Sequence, residues 1–339
     1  MRVQHSATTR RRTAMAAGAA VAALVLAACS STGGAQNSST SATSGGGSGN
    51  VATTPRYTIA LVTHETPGDT FWDKVKAGAT AAAAKDNIEL KYSADPDATK
   101  QSTLIQNAID SKVDGIATTL VTPAALAGAV KNAVAAKIPV VGLNAGIDQY
   151  QQLGVMEYFG SDETVAGQAV GERITTEGGK HPLCVIQQEG SVSLEARCAG
   201  VKAKAAATQN LQVNGADDNS VKATIQAKLT QDPSIDYIVT LGAPVALDAV
   251  QSIKNASSKA KLATFDLNAE TIKAIQDNSI TFSVDQQPYL QGYLAVDSLW
   301  LYLSNGLVIG GGKPVLTGPA LVDQSNIAAI AKYAANNTR

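Results

Sequence analysis

Residues 57–92, YTIALVTHETPGDTFWDKVKAGATAAAAKDNIELKY, contain three consecutive signals of regular structure. Residues 57–62 are a short apolar run that is typical of a buried strand. Residues 70–85 repeat apolar side chains at the spacing of one helix face, and residues 88–92 again favour a strand. This order predicts a βαβ unit with two parallel strands.

The same alternation continues to the end of the chain. Further strands are predicted at residues 115–118, 138–143, 155–159, 183–187, 211–213, 235–241, 262–265, 280–284 and 317–322. Further helices are predicted at residues 99–111, 123–136, 163–176, 194–207, 221–231, 245–255, 288–303 and 325–335. Thr122 and Pro123 are expected to supply an N-cap and a first helical residue. The pattern indicates an α/β fold in two similar halves, each with a parallel sheet covered on both faces.

Residues 1–56 have the features of an export signal followed by a tether. An Arg-rich start precedes an apolar stretch at residues 14–28, which has the length of a signal-peptide core and is short for a membrane span. Cys29 follows small residues, as in the lipobox of bacterial lipoproteins, so we predict cleavage of residues 1–28 and lipidation of Cys29. An ordinary signal peptide is the alternative, and the arginines leave Sec and twin-arginine export open. Residues 29–56 are rich in Ser, Thr and Gly and predict a flexible tether.

The composition excludes several classes of protein. The chain has 339 residues, which favours two domains, and is 45% hydrophobic and 16% charged, unlike a disordered chain, a collagen or a coiled coil. Lys plus Arg is 27 and Asp plus Glu is 28. Removal of residues 1–28 takes away four arginines and leaves a net charge of −5, so no nucleic-acid partner is expected. Three Cys and three His, and the lack of nucleotide-binding glycine motifs, predict neither a metal site nor a cofactor.

Polar side chains follow the predicted strands at the points where each strand ends. In parallel sheets the carboxyl ends of the strands meet at one edge, where ligands bind. The candidates at this edge are residues 64–72, Thr118, Thr119, Asn144, Gln188, Glu189, Arg197, Gly242, Asp266, Asp285 and Gln286. Carboxylates, amides and a guanidinium suit hydroxyl groups, and the aromatic pair Phe71 and Trp72 suits C–H groups. The set predicts a small polyhydroxylated ligand.

The body of the chain resembles the periplasmic sugar-binding proteins of ABC importers, in particular the group similar to ribose-binding protein. The resemblance covers about residues 57–322. It is carried by the order and spacing of Thr58-Ile59-Ala60-Leu61-Val62, Phe71-Trp72, Lys76-Ala77-Gly78, Val113-Asp114-Gly115-Ile116, Lys137-Ile138-Pro139-Val140-Val141, Glu195-Ala196-Arg197, Ala263-Thr264-Phe265-Asp266 and Gln286-Gln287-Pro288.

The resemblance implies two Rossmann-like lobes joined by a hinge of three crossovers, with the ligand between them. The implied N-terminal lobe is residues 57–160 and 287–316, and the C-terminal lobe is residues 161–286 and 317–339. The implied ligand-binding residues are Asp69, Phe71, Trp72, Thr119, Asn144, Arg197, Asp266 and Gln286. The chain departs from the ribose pattern at Asn144-Ala145 and Gly242 and in a longer loop before Phe71, which favours a different sugar or a polyol.

Each candidate also has a structural interpretation. Phe71 and Trp72 are adjacent on a helix, so they point about 100° apart, and we expect one of them to stack on ligand. Asp266 is also a candidate cap of the next helix, and Asn144 a turn residue. Arg197 is a candidate surface cap, and Asp285 and Gln286 are candidate caps of the helix at Pro288. His64 is expected to be a solvated loop residue, and His181 to be structural.

Cys184 and Cys198 are the two cysteines that remain after Cys29. They are 14 residues apart in an exported chain, and a disulfide is predicted, with two buried free thiols as the alternative.

Together the residues and the resemblance predict a lipid-anchored receptor on the outer face of the plasma membrane. It would act as a monomer, capture a sugar or sugar alcohol between its lobes and deliver it to the permease of an ABC importer. One alternative is a sensor of a furanose-type signal. Another is a surface enzyme with Asp69 and Asp266 as an acid/base pair.

Overall fold

The computed structural model describes residues 51–339 and contains two six-stranded sheets. The strands of the first sheet are β1 (Tyr57–Thr63), β2 (Ile88–Ala94), β3 (Gly115–Thr118), β4 (Val140–Leu143), β5 (Glu157–Gly160) and β11 (Val315–Leu316). Their order is β11-β5-β4-β3-β1-β2, and all neighbours are parallel.

The second sheet repeats this arrangement. Its strands are β6 (Pro182–Ile186), β7 (Gln209–Gln212), β8 (Tyr237–Thr240), β9 (Lys261–Phe265), β10 (Phe282–Asp285) and β12 (Ala320–Asp323). Their order is β12-β10-β9-β8-β6-β7, and β12 is antiparallel to β10 while the other neighbours are parallel.

Four helices cover the first sheet and form the N-terminal lobe with it. They are α1 (Thr70–Lys85), α2 (Ala98–Asp110), α3 (Pro123–Ala135) and α9 (Pro288–Asn305). Helices α1 and α9 pack on one face of the sheet, where Ile59 and Leu61 point. Helices α2 and α3 pack on the other face, where Ala60 and Val62 point. This sheet is therefore buried on both faces, as its continuous apolar strands predict.

Six helices cover the second sheet and form the C-terminal lobe. They are α4 (Glu163–Thr176), α5 (Val192–Lys204), α6 (Asp218–Gln231), α7 (Ala243–Asn255), α8 (Ala269–Gln276) and α10 (Ile327–Ala335). Helices α4 and α5 pack on one face, and the other four pack on the opposite face. The predicted fold class, two α/β lobes with helix-covered parallel sheets, is confirmed.

The chain passes between the lobes three times: after β5, after β10 and after β11. The crossings are hydrogen-bonded to one another. The amide of Thr317 donates to the carbonyl of Gly160 at 2.9 Å, and Gln287 Nε2 donates to the carbonyl of Thr317 at 2.7 Å. Gln287 lies in the left-handed region with φ 56°, which only the surrounding contacts stabilise in a residue that is not glycine. These bonds make the three crossings one hinge.

Glycines allow the closest helix contacts in both lobes. A Cβ added at Gly78 of α1 would lie 1.9 Å from the carbonyl oxygen of Tyr289, and one at Gly292 of α9 would lie 2.0 Å from that of Val75. The same relation holds in the second lobe between α4 and α5, where a Cβ at Gly167 would lie 2.1 Å from the Arg197 carbonyl oxygen. The position of α5, and of the Arg197 side chain, therefore depends on this small residue.

Cys184 of β6 and Cys198 of α5 form a disulfide in the structure, with their Cα atoms 5.8 Å apart. Both residues are completely buried. Because Cys198 follows Arg197 directly, the bond fixes the helix that carries Arg197 to β6, an inner strand of the sheet.

Several details differ from the sequence-based expectations. Helix α8 and strand β11 were not predicted, because eight and two residues are too few for a clear periodicity. The strand predicted at 138–143 begins only at Val140. Thr122 occupies the N-cap position of α3 but its side chain accepts no cap hydrogen bond.

The predicted signal peptide, Cys29 and most of the predicted tether lie outside the described residues. The described part of the tether, residues 51–56, contacts the N-terminal lobe: the Ala52 amide donates to the Lys85 carbonyl, and Trp300 Nε1 donates to Thr54 Oγ1 at 2.9 Å. The prediction that flexibility extends to residue 56 is therefore wrong. Within residues 51–339 every helix is too short or too polar to cross a membrane.

Candidate functional site

A cavity of about 770 Å³ is lined by residues of both lobes, at the carboxyl ends of their strands. The structure brings most of the sequence-predicted residues to its wall: Asp69, Phe71, Trp72, Asn144, Arg197, Asp266 and Gln286. Thr119 is the exception, because it is completely buried behind the wall.

The first turn of α1 supplies a carboxylate and two aromatic rings. Asp69 is the N-cap, and its Oδ1 accepts from the Phe71 amide at 3.0 Å. Burial raises the pKa of Asp69, although the Phe71 amide and the Lys74 ammonium oppose the rise. Phe71 and Trp72 are both buried, both belong to the apolar core and both line the cavity, with their rings edge-on at 5.1 Å. Both residues belong to the same core cluster, although they point about 100° apart on the helix, and stacking of one of them on ligand stays a prediction.

Arg197 lies in the second turn of α5 and is bound by a carboxylate that the sequence did not suggest. Its Nε and Nη2 donate to Glu163 of α4 at 2.6 and 3.0 Å, and its Nη1 donates to the carbonyl of Leu241 at 3.0 Å. Arg197 is 3% exposed, so the alternative of a surface cap is wrong. A guanidinium has five N–H donors, and the described residues accept three of them, which leaves two for a ligand.

Asp266 and Gln286 form a hydrogen-bonded pair in the wall of the cavity. Gln286 Nε2 donates to Asp266 Oδ1 at 2.6 Å. Burial raises the pKa of Asp266 to about 7; Arg197 opposes the rise and Asp69 adds to it. Asp266 does not cap α8, since Asn268 does so through a reciprocal pair of bonds with Thr271. Gln286 does not cap α9 either, whereas Asp285, which pairs with Arg339, accepts from the Gln287 amide.

Asn144 and Gly242 occupy the two positions where the chain departs from the ribose pattern. Asn144 has a left-handed backbone, φ 65°, as expected of a turn residue. Its Nδ2 donates to Gln291 Oε1 at 3.3 Å, and the residue also lines the cavity. Gly242 lines the cavity beside Gln187, whose Nε2 would lie 3.1 Å from an added Cβ. The side-chain amide of Gln187 therefore lies where a larger residue at position 242 would point.

His64 is not the solvated loop residue that we expected. It lines the cavity, its Nδ1 lies 2.8 Å from Thr119 Oγ1, and its ring meets Trp72 edge-on at 4.8 Å. Burial lowers the pKa of His64 to about 3, and the charge of Arg197 adds to the effect. The imidazole is therefore neutral at physiological pH. His181 is exposed, and its amide donates to Asp236.

Within the described part of the chain, one hydrogen bond joins the lobes away from the hinge. The amide of Val192, the first residue of α5, donates to the carbonyl of Val121 in the N-terminal lobe at 3.1 Å. The first amides of a helix have no partner within the helix. The free amide at the start of α5 in the C-terminal lobe therefore finds its acceptor, the Val121 carbonyl, in the N-terminal lobe.

Comparison with known proteins gives consistent matches. A sequence model of the periplasmic binding protein domain matches residues 59–307. The xylose/arabinose-binding protein XylF of Sulfolobus acidocaldarius is 26% identical over 298 residues, which cover 82% of this chain and 74% of that protein. The ribose import binding protein RbsB of Bacillus subtilis is 27% identical over 256 residues, covering 74% and 82%.

A solved structure is more similar still. A carbohydrate transporter from Acidothermus cellulolyticus 11B, in complex with myo-inositol, is 58% identical with a TM-score of 0.83; the match covers 84% of this chain and all of that one. The chain therefore belongs to the periplasmic binding protein family, in the two-lobed type I class that includes these sugar-binding relatives.

Proposed function

We propose that this protein is the substrate-binding protein of an ABC importer and that its ligand is a cyclitol of the myo-inositol type. The single observation that carries the proposal is the 58% identity to a transporter protein in complex with myo-inositol. The cavity supports it chemically. Asp69 and Asp266 can accept from hydroxyls, Arg197 can donate to them, and Trp72 offers an apolar wall to ring C–H groups.

A thermal-shift panel tests the ligand class. The purified protein is heated with myo-inositol, other inositol isomers, ribose, glucose and acyclic polyols. A ligand at about 100 times its Kd stabilises the folded state by about 2.7 kcal/mol, so myo-inositol should raise Tm clearly and the acyclic polyols should not. A rise with ribose alone would contradict the cyclitol assignment, and no rise with any polyol would contradict the function.

Membrane attachment through Cys29 is part of the same proposal. It rests on the lipobox-like sequence before Cys29 and on the export signal. The Cys29→Ser variant should leave the membrane fraction on cell lysis, whereas the wild type should stay with it. A wild-type protein found in the soluble fraction would contradict the lipid anchor without affecting the ligand assignment.

The bond between Val192 and Val121 predicts how closure contributes to affinity. The Val192→Pro variant lacks the amide proton that the bond needs. Proline suits the first position of a helix, and the preceding residue, Ser191, already has the extended backbone that proline favours. We expect a Kd for myo-inositol about 2- to 10-fold higher, measured by calorimetry, with Tm nearly unchanged. The matched control is Ala98→Pro, at the first position of α2 after the extended Asp97, and it should bind normally. Equal affinities for both variants would contradict a role for the bond in closure.

The raised pKa of Asp266 predicts a pH-dependent affinity. Ligand hydroxyls donate to the carboxylate, so the ionised form binds and the protonated form must first lose its proton. With a pKa of about 7, affinity is lost as pH falls through 7, and binding at pH 6 should be about tenfold weaker than at pH 8. Calorimetry across this range measures it, and a constant Kd from pH 8 to pH 5 would contradict it.

A further inference from the structure

The hydrogen bonds behind His64 decide which of its ring nitrogens carries the proton. They begin at Gln101 of α2, which is completely buried. Its Nε2 donates to the backbone carbonyl of Thr119 at 3.0 Å and to Thr119 Oγ1 at 2.9 Å. A carbonyl oxygen can only accept, so the amide nitrogen of Gln101 must be the atom that faces Thr119.

The bond from Gln101 to Thr119 also determines which atom donates in the hydrogen bond between Thr119 and His64. Its hydroxyl oxygen accepts from Gln101 and lies 2.8 Å from His64 Nδ1. Thr119 is completely buried, and among the described residues His64 Nδ1 is the acceptor available to the hydroxyl proton. A buried donor without an acceptor costs free energy, so the hydroxyl donates to Nδ1. In a neutral imidazole an accepting Nδ1 places the proton on Nε2.

The ring is neutral, and His64 lines the cavity. Burial and the nearby Arg197 keep the pKa of His64 far below 7, as described above. Nδ1 points to Thr119, which lies behind the cavity wall, while the ring itself is part of that wall. Within residues 51–339 no protein group hydrogen-bonds Nε2.

We infer that Gln101 and Thr119 hold His64 as the Nε2–H tautomer, which makes it a fixed hydrogen-bond donor to an oxygen of the ligand. His64 contacts ligand in this role, and Gln101 and Thr119 are positioning residues. The ligand part rests on the proposed function, but the tautomer does not. A ligand hydroxyl that accepts from Nε2 keeps its own proton for a carboxylate of the wall. The donor at His64 thus favours the orientation in which ligand hydroxyls donate their protons to the carboxylates of the wall.

The tautomer can be measured directly in the purified protein without ligand. Long-range ¹H–¹⁵N correlation spectra distinguish a protonated from an unprotonated imidazole nitrogen, and the His64→Gln spectrum identifies the His64 signals. We expect His64 to show a protonated Nε2 and an unprotonated Nδ1. Thr119→Val removes the hydroxyl at nearly constant volume and should allow the Nδ1–H tautomer to appear. An Nδ1–H tautomer in the wild type would overturn the inference.

Two substitutions at His64 separate donation to ligand from packing. Glutamine places its amide nitrogen near the position of imidazole Nε2, whereas asparagine places it near Nδ1. We expect His64→Gln to bind myo-inositol within about threefold of the wild type and His64→Asn to bind about tenfold more weakly, as for the loss of one hydrogen bond. Equal losses in both variants would overturn the donor role and leave packing as the explanation.

The binding measurement and the tautomer measurement test separate claims. If the wild type does not bind myo-inositol but shows the Nε2–H tautomer, the proposed ligand is wrong and the fixed donor stands. If it binds myo-inositol with an Nδ1–H tautomer, the proposed function stands and this inference is wrong.

Discussion

The Asp266→Asn variant should bind myo-inositol about 100-fold more weakly than the wild type. Hydrogen bonds to a charged group contribute about 1.5–3 kcal/mol each, and the substitution turns an acceptor of ligand hydroxyls into a partial donor. Asparagine keeps the shape of the side chain and tolerates the left-handed backbone, φ 68°, at this position. Calorimetric titration at pH 8, where Asp266 is ionised, measures the loss.

A second carboxylate on the same cavity gives the control. Asp218 also lines it but is exposed, at the first position of α6. Asp218→Asn should change the Kd by less than about threefold, because an exposed carboxylate remains largely hydrated. If both variants bind like the wild type, Asp266 does not contact the ligand.

The Glu163→Ala variant should lower the free energy of unfolding by about 3–5 kcal/mol. Glu163 and Arg197 are each 3% exposed and paired through two hydrogen bonds, so removing the carboxylate leaves an uncompensated buried guanidinium. Denaturant unfolding measures the loss. Binding should weaken as well, because the guanidinium loses the contact that orients it.

Controls for this prediction lie on the same helix. Glu172 of α4 is 61% exposed and pairs with Lys204, and Glu172→Ala should change stability little. The double variant Glu163→Met with Arg197→Met should regain most of the lost stability, because two apolar side chains replace the buried pair, but it should not bind ligand. A Glu163→Ala protein as stable as Glu172→Ala would show that the buried pair contributes nothing to the fold.

Local patterns were sufficient to predict most of the fold. The bounds of α1 and β3 agree with the expected ranges, since each is a strong periodic or apolar run between turn residues. Helix α8 was missed because eight residues make only about two helical turns, and its buried residues pack beside α7 and α10 in the core of the C-terminal lobe. The start of β4 was placed too early because residues 138 and 139 continue the apolar pattern of the strand, although Pro139 has no amide proton to donate to the sheet.

The site was predictable where strand ends alone define it. Asp266 and Asn144 follow strands directly, so topology brings them to the cavity. Glu163 could not be assigned in this way, because its role depends on Arg197, 34 residues away. His64 follows a strand directly and was among the candidates, but its pairing with Thr119, 55 residues away, gave no local signal that it is not a solvated loop residue. Thr119 also follows a strand, yet its side chain turns to Gln101 and His64 instead of the cavity.

A crystal structure of the protein grown with myo-inositol tests the central proposal most directly. We expect one cyclitol ring between the lobes, with hydroxyls within hydrogen-bond distance of Asp266 and Arg197 and with a ring face on Trp72. The Val192 amide should remain bonded to the Val121 carbonyl. A cavity without cyclitol at saturating concentration, or a cyclitol that contacts neither Asp266 nor Arg197, would contradict the proposal.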